Sequence, residues 1–397
     1  MSLVIKGGRA FLRGGFAEKD ISIDDGKITE IGVNLKGDER IDATGLLVLP
    51  GLIDPHVHLR EPGDTYKEDF VTGTRAAIAG GFTTVMDMPN NAIPTTTKVR
   101  YEEKIKLAKE KAMCNVFFHF GGTDDNFEEV KKADPQSLKL YLGKTTGMLL
   151  LKNPDSVAKH FASFQKDRPI VLHACDHSEN EKENLEKTYA TEENAVSLAE
   201  KMDRKIHLAH ASSSKEISIA KKYGKCTVEV APHYLFLSAK DRERLGPLAK
   251  VYPPLKSEET RKSLWNALER ADCLASDHAP HTLEDKEEGA AGFPGLETSL
   301  ALMLDACDRG LLDRSWVLER MSGRVAEIFG LVGKGKLEKG YAGDVTIIDA
   351  RKTWKVDGTE LETKCRWSPF EGKELKGKAH SVIVGGQAVY LEYGFVK

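Results

Sequence analysis

His56 and His58 stand two residues apart in GLIDPHVHLREPG (51–63), and Arg60 follows two further on. Residues i, i+2 and i+4 of an extended chain share a face, so two imidazoles and a guanidinium point one way at the end of an otherwise apolar run. Imidazole nitrogens suit a divalent metal ion, and a guanidinium fork suits a carboxylate. Further apolar runs end on residues of the same kind: Lys139 in SLKLYLG, His173 in PIVLHAC, His210 in KIHLAHA and Asp277 in DCLASDH. Neutral imidazole and carboxylate are preferred ligands of zinc, and six candidates exceed one tetrahedral shell, so two ions sharing a bridge fit the count better. A lone strand-end histidine is more often structural than ligating; the HxH pair and the recurrence at strand ends carry the reading. By parity His207 should turn away from His210 toward the helices. His233 is expected to support the ligands from behind, and His119, His160, His177 and His380 to be structural or exposed.

These residues need a scaffold that gathers strand ends. Eight strand-like runs, GLIDPHVH, TTVMDMP, NVFFHFGG, SLKLYLG, PIVLHAC, KIHLAHA, CTVEVAPH and DCLASDH, alternate with amphipathic helical stretches such as EDFVTGTRAAIAGG and TKVRYEEKIKLAKEKAM. That alternation predicts a TIM-type (β/α)8 barrel over residues 51–335, with functional groups at the C-terminal ends of the strands. The flanking segments 1–50 and 336–397 read as short strands and turns, and together predict one small β-sandwich domain. An open doubly wound sheet is the competing fold, but the Gly-rich phosphate loop expected after its first strand is missing.

At 397 residues, 40% hydrophobic and 30% charged with a net charge of −3, the chain reads as a soluble globular protein with a small-molecule substrate. Nothing in that balance favours nucleic acid or an anionic membrane. Six scattered cysteines without a CxxC pair suit a reducing compartment, and the first residues lack a signal-peptide pattern, so a cytoplasmic location is expected.

In order along the chain, GLIDPHVHLREPG, DMPNN, SLKLYLG, VLHA, HLAHASS, EVAPH, ASDHAPH and GFPGLET resemble the cyclic amidohydrolases of the amidohydrolase superfamily, the dihydroorotases most of all. The resemblance covers nearly the whole chain. It implies reversible interconversion of N-carbamoyl-L-aspartate and L-dihydroorotate in de novo pyrimidine (UMP) biosynthesis, with two Zn2+ ions per chain. Carried over by position, His56, His58 and Asp277 hold one ion and His173 and His210 the other. Lys139 matches a lysine that is carboxylated on its ε-nitrogen and, with a hydroxide, bridges the two ions. Without the resemblance a lysine among Leu138, Leu140 and Leu142 would read as a snorkelling surface residue. Asp277 is the implied acid/base catalyst. Arg60, Asn90 and His281 are implied to hold the substrate carboxylate, with Pro294 and Gly295 completing the substrate site and Thr145 on a lid. Allantoinases and hydantoinases (dihydropyrimidinases) are the enzymatic alternatives, and Arg60 separates them, because allantoinases typically carry Asn there and dihydropyrimidinases lack the Arg. A non-catalytic scaffold of the same fold is a third reading, opposed by the filled ligand positions. A homodimer and association with aspartate transcarbamoylase are further expectations.

Overall fold

The computed structural model describes residues 2–13, 15–143 and 148–396. Thr145 of the expected lid lies outside the described residues. Eight parallel strands follow in sequence order: β1 (Leu52–Val57), β2 (Phe82–Asp87), β3 (Asn115–Gly121), β4 (Ser137–Tyr141), β5 (Ile170–His173), β6 (Ile206–Leu208), β7 (Cys226–Val230) and β8 (Cys273–Leu274). Each of these pairs with its successor. The ring closes where Val57 bridges His278 in parallel and the His58 amide donates to the His278 carbonyl at 2.7 Å. The structure is therefore the expected barrel with helices outside.

Local chemistry explains the elements. The strands are rich in Val, Ile and Leu because both of their faces are covered. Helix α1 (Phe70–Ala79) begins at a capping box in which Asp69 and Thr72 satisfy each other's backbone amides, and α2 (Lys98–Lys111) is capped by Thr97, which accepts from the Arg100 amide.

The two ends of the chain meet in a pair of sheets. One contains residues 3–6, 20–24, 27–32 and 39–42; the other joins 47–50 to 345–355 in antiparallel register, Val345 opposite Pro50 and Ile348 opposite Leu47. Leu3, Ile5, Ile21, Ile23, Val48, Val345, Ile347 and Ile383 form the core between them. Not all of the C-terminal segment stays with these sheets. Residues 356–372 run back over the barrel, where Glu362 pairs with Arg75 at 2.8 Å and the Trp367 indole donates to the His281 carbonyl at 2.8 Å.

Candidate active site

His56 lies in β1, and its Nε2 is 3.3 Å from Asp277 Oδ1. His58, just past the strand, brings its own Nε2 to 3.2 Å from the same oxygen. Ligand atoms of His56, His58 and Asp277 all lie within 4.8 Å of one another. His173 ends β5, and its Nδ1 lies 2.8 Å from Nε2 of His210. His56 and His210 are adjacent as well, with ring centroids 5.3 Å apart. Lys139 in β4 faces the same cleft, its Nζ wholly buried and 5.3 Å from the Tyr141 ring. The structure thus brings all six expected ligands to the lining of one cleft, which also includes Arg60, Asn90 and Tyr252.

Alternation alone does not produce this cluster. Arg60, His210 and Asp277 have φ of 62°, 40° and 47°, the left-handed region that non-glycine residues rarely adopt. Because β6 ends at Leu208 and His210 turns left-handed, strand parity does not run from one histidine to the next. The expectation for His207 is corrected here: it points into the barrel, with Nε2 3.0 Å from Glu229 Oε2 and Nδ1 2.8 Å from Thr227 Oγ1. His119 and His160 are buried and bonded to the carbonyls of Pro55 and Thr123, as structural residues would be. His233 is buried but not part of the cleft lining, and burial depresses its ring to about 4.

Glu229 of β7 went unread in the sequence. Its Oε1 lies 2.5 Å from His56 Nδ1 and accepts from the His210 amide at 3.1 Å, while its Oε2 meets His207. One buried carboxylate therefore orients two expected ligands, fixing the His56 proton on Nδ1 and leaving Nε2 for a metal. An acid flanked by valines in CTVEVAPH was the available signal. Asp54 was missed for the same reason. It accepts from the His56 amide at 3.0 Å and the Ser276 amide at 3.0 Å, and burial pushes its carboxyl up to about 7.

The electrostatics suit cations. Burial depresses His58 and His210 to about 3, so both rings are neutral and offer lone pairs. Burial pushes Asp277 up, but the neighbouring His56 and the hydrogen bond with His58 outweigh it and hold the carboxyl well below its usual range. Lys139 is the misfit: burial lowers it to about 8, and among the described residues its Nζ has no hydrogen-bond partner. A buried ammonium without a partner is costly. A carboxylated ε-nitrogen would remove that cost, and the donor set of histidines and Asp277 fits a metal site.

Arg60 is buried, with Nε donating to the Pro280 carbonyl at 3.1 Å and Nη2 3.0 Å from His281 Nε2. Among the described residues it forms no ion pair with a carboxylate. Asn90 Oδ1 lies 2.9 Å from His58 Nδ1. His281 sits behind Arg60 rather than in the cleft lining, and burial together with the neighbouring guanidinium keeps its ring neutral. From the GFPGLET region the cleft takes Ala291 and Gly292, which precede the motif or open it; Pro294 and Gly295 are not part of its lining, and the Gly295 amide donates to His278 Nδ1 at 3.1 Å.

A family model described as the amidohydrolase family matches residues 47–389. The chain is 40% identical to a dihydroorotase from Thermococcus kodakarensis, spanning 98% of this chain and 95% of that protein, and 39% identical to one from Pyrococcus abyssi over the same shares. It is 36% identical to the multifunctional protein CAD of Squalus acanthias across 87% of this chain and 15% of that one. Among solved structures, an L-hydantoinase (dihydropyrimidinase) from Arthrobacter aurescens superimposes with a TM-score of 0.94 at 27% identity, covering 100% of this chain and 97% of the other. The chain belongs to the amidohydrolase family, and within that family to the dihydroorotases.

Proposed function

We propose that the protein is a zinc-dependent dihydroorotase that closes N-carbamoyl-L-aspartate to L-dihydroorotate, and opens it in reverse, at the cleft of His56, His58, Lys139, His173, His210 and Asp277. The observation that carries the substrate assignment is Arg60, a buried guanidinium lining the cleft without an acidic partner among the described residues. A substrate carboxylate would complete it with charge-assisted, forked hydrogen bonds. Hydantoin and dihydrouracil offer no such group, although the solved structures similar to this chain include hydantoinases.

His56, His58 and Asp277 would hold one zinc ion, His173 and His210 the other, and carboxylated Lys139 both. When bound, the ions would supply Lewis acidity to the scissile carbonyl and a hydroxide nucleophile at neutral pH. Asp277 would accept the proton released by the attacking water-derived nucleophile and return it to the ring nitrogen that leaves on hydrolysis; in the biosynthetic direction it would take that proton from the attacking ureido nitrogen and pass it to the departing water. Glu229 keeps His56 in the tautomer that presents Nε2. Arg60 and Asn90 hold the carboxylate end of the substrate, setting the ring carbonyl against the histidines.

A homodimer and association with aspartate transcarbamoylase belong to this reading, the latter supported by similarity to a multifunctional protein. Among the described residues no helix is long and apolar enough to cross a membrane. The test is metal analysis of protein prepared without chelators, followed by assays with dihydroorotate, hydantoin and allantoin. Close to two zinc ions per chain and a preference for dihydroorotate are expected; full activity in metal-free protein, or faster turnover of hydantoin or allantoin, would overturn the proposal.

A further inference from the structure

Lys104 is a lysine in the middle of α2, yet it is fully buried. Its Nζ lies 2.6 Å from Asp87 Oδ2 and donates to Asn91 Oδ1 at 2.6 Å and to the Met88 carbonyl at 2.9 Å. All three partners belong to the end of β2 and the segment that follows it, the segment that also carries Asn90. Two of them pass the connection on. Asp87 Oδ1 accepts from the Leu59 amide at 2.7 Å, and Asn91 Nδ2 donates to the Glu61 carbonyl at 3.0 Å.

Leu59 and Glu61 are the residues on either side of Arg60. A side chain at φ of 62° costs free energy unless its neighbours hold it there, and here the amide before Arg60 and the carbonyl after it are each gripped by a side chain bonded to Lys104. The two loops are also in close contact, since a Cβ added at Gly63 would stand 2.6 Å from Ala92 Cβ. From these contacts we infer that Lys104, through Asp87 and Asn91, is the positioning residue of the carboxylate clamp, holding Arg60 and Asn90 in register although it touches no substrate itself. The inference rests on the dihydroorotase reading given above. Two acceptors, the Met88 carbonyl and Asn91 Oδ1, bond the ammonium, and the ion pair with Asp87 offsets its desolvation, so the cation can remain in the interior.

The test is a comparison of Lys104→Met, the paired Lys104→Met/Asp87→Asn, and Asn91→Ser with wild type, in metal-loaded enzyme of measured zinc content. The paired variant removes both buried charges while the side-chain amide introduced at position 87 keeps an oxygen for the Leu59 amide. Asn91→Ser leaves the ion pair in place, so the question stays open to measurement if Lys104→Met alone does not fold. Expected for the folded variants are unchanged zinc content, a KM for dihydroorotate raised at least ~10-fold with kcat changed less than ~3-fold, and nearly constant kcat/KM for hydantoin. A purely structural lysine would lower stability and affect both substrates alike. Folded, zinc-loaded variants with wild-type KM for dihydroorotate, or with equal losses on both substrates, overturn the inference. Wild type that fails to turn over dihydroorotate overturns the functional reading and takes this one with it, so the two failures are told apart by the wild-type assay.

Discussion

On one side of the cleft, His56, Lys139 and His173 hang from strands whose register sets their places; on the other, Arg60 and Asn90, with His281 behind Arg60, hang from loops held by side chains elsewhere in the chain. The strand-borne floor is backed by a buried carboxylate, Glu229, inside the barrel. The loop-borne clamp is held from outside the ring: by Lys104 on α2, by the Trp367 indole on the His281 carbonyl, and by Lys286, which donates to the Gly292 carbonyl at 3.0 Å. Such a division lets one barrel keep its metal chemistry while loops change which substrate is held. The floor should therefore govern whether any substrate reacts, and the clamp which one does.

The largest expected effect breaks the floor. Lys139→Ala removes the proposed bridge and should abolish binuclear metal binding, lowering kcat at least ~10³-fold for dihydroorotate and hydantoin together. Acetate or propionate, small enough to enter the gap, should restore part of both metal content and rate. Two tightly held zinc ions in the alanine variant, or a free ammonium at Lys139 beside two bound ions in a crystal structure, would remove the bridge from the account. Glu229→Gln acts one step further out. It should weaken metal affinity by ~10–100-fold, as loss of a partner to a ligating histidine does, measured by competition with a chelator. Unaltered affinity would mean that His56 keeps its orientation without the carboxylate.

Breaking the clamp should give a selective loss. Arg60→Ala forfeits charge-assisted hydrogen bonds of about 1.5–3 kcal/mol, and so should lower kcat/KM for dihydroorotate ~10–100-fold. Zinc content and any slow hydrolysis of hydantoin should hardly change. Equal losses on both substrates would make Arg60 structural and erase the difference between the two sides.

The same division shows in what could be read from sequence. Short apolar runs alternating with amphipathic helical stretches mark the eight strands, and their ends mark His56, His58, His173, His210 and Asp277. Once the chain leaves the strand, periodicity carries no information: the left-handed backbone at His210 is why His207 points inward rather than toward the helices. Glu229, Asp54 and Lys104 were passed over because a charged residue is exposed by default, and its burial follows from partners distant in sequence, 173 residues away for Glu229 and His56. The proposed role of Lys139 comes from family resemblance, since carboxylation would leave no mark on spacing. Residues 356–372 looked like part of the small domain because local pattern does not record which surface a loop lies upon.

The smallest expected effect concerns the bracing of the clamp and turns on pH. Glu297, in the first turn of the helix Leu296–Asp308, is half-buried and accepts from the Glu362 amide at 3.0 Å and the Thr363 amide at 3.1 Å. It thereby fastens the segment that leads to Trp367 and on to the His281 carbonyl. Burial pushes its carboxyl up to about 8 from an ordinary 4.5, against the pull of those two amides and with the nearby Glu362 and Glu68 adding to the rise. Between these two values the folded protein keeps a proton that the unfolded chain has released. Stability contributed by this group is thus present at low pH and falls as pH rises through that window. Glu297→Gln keeps the shape and the acceptor oxygen but cannot ionise. In a melting series from about pH 5.5 to about pH 8.5, the Tm of wild type should fall relative to that of the glutamine variant, by about 1 °C for each kcal/mol of differential stability in a chain of this length. Zinc content should be the same in both proteins at every pH, because the residue braces the clamp and not the floor. Parallel melting curves would show that Glu297 titrates in the ordinary carboxylate range, and the fastening of residues 362–363 would then owe nothing to a buried proton.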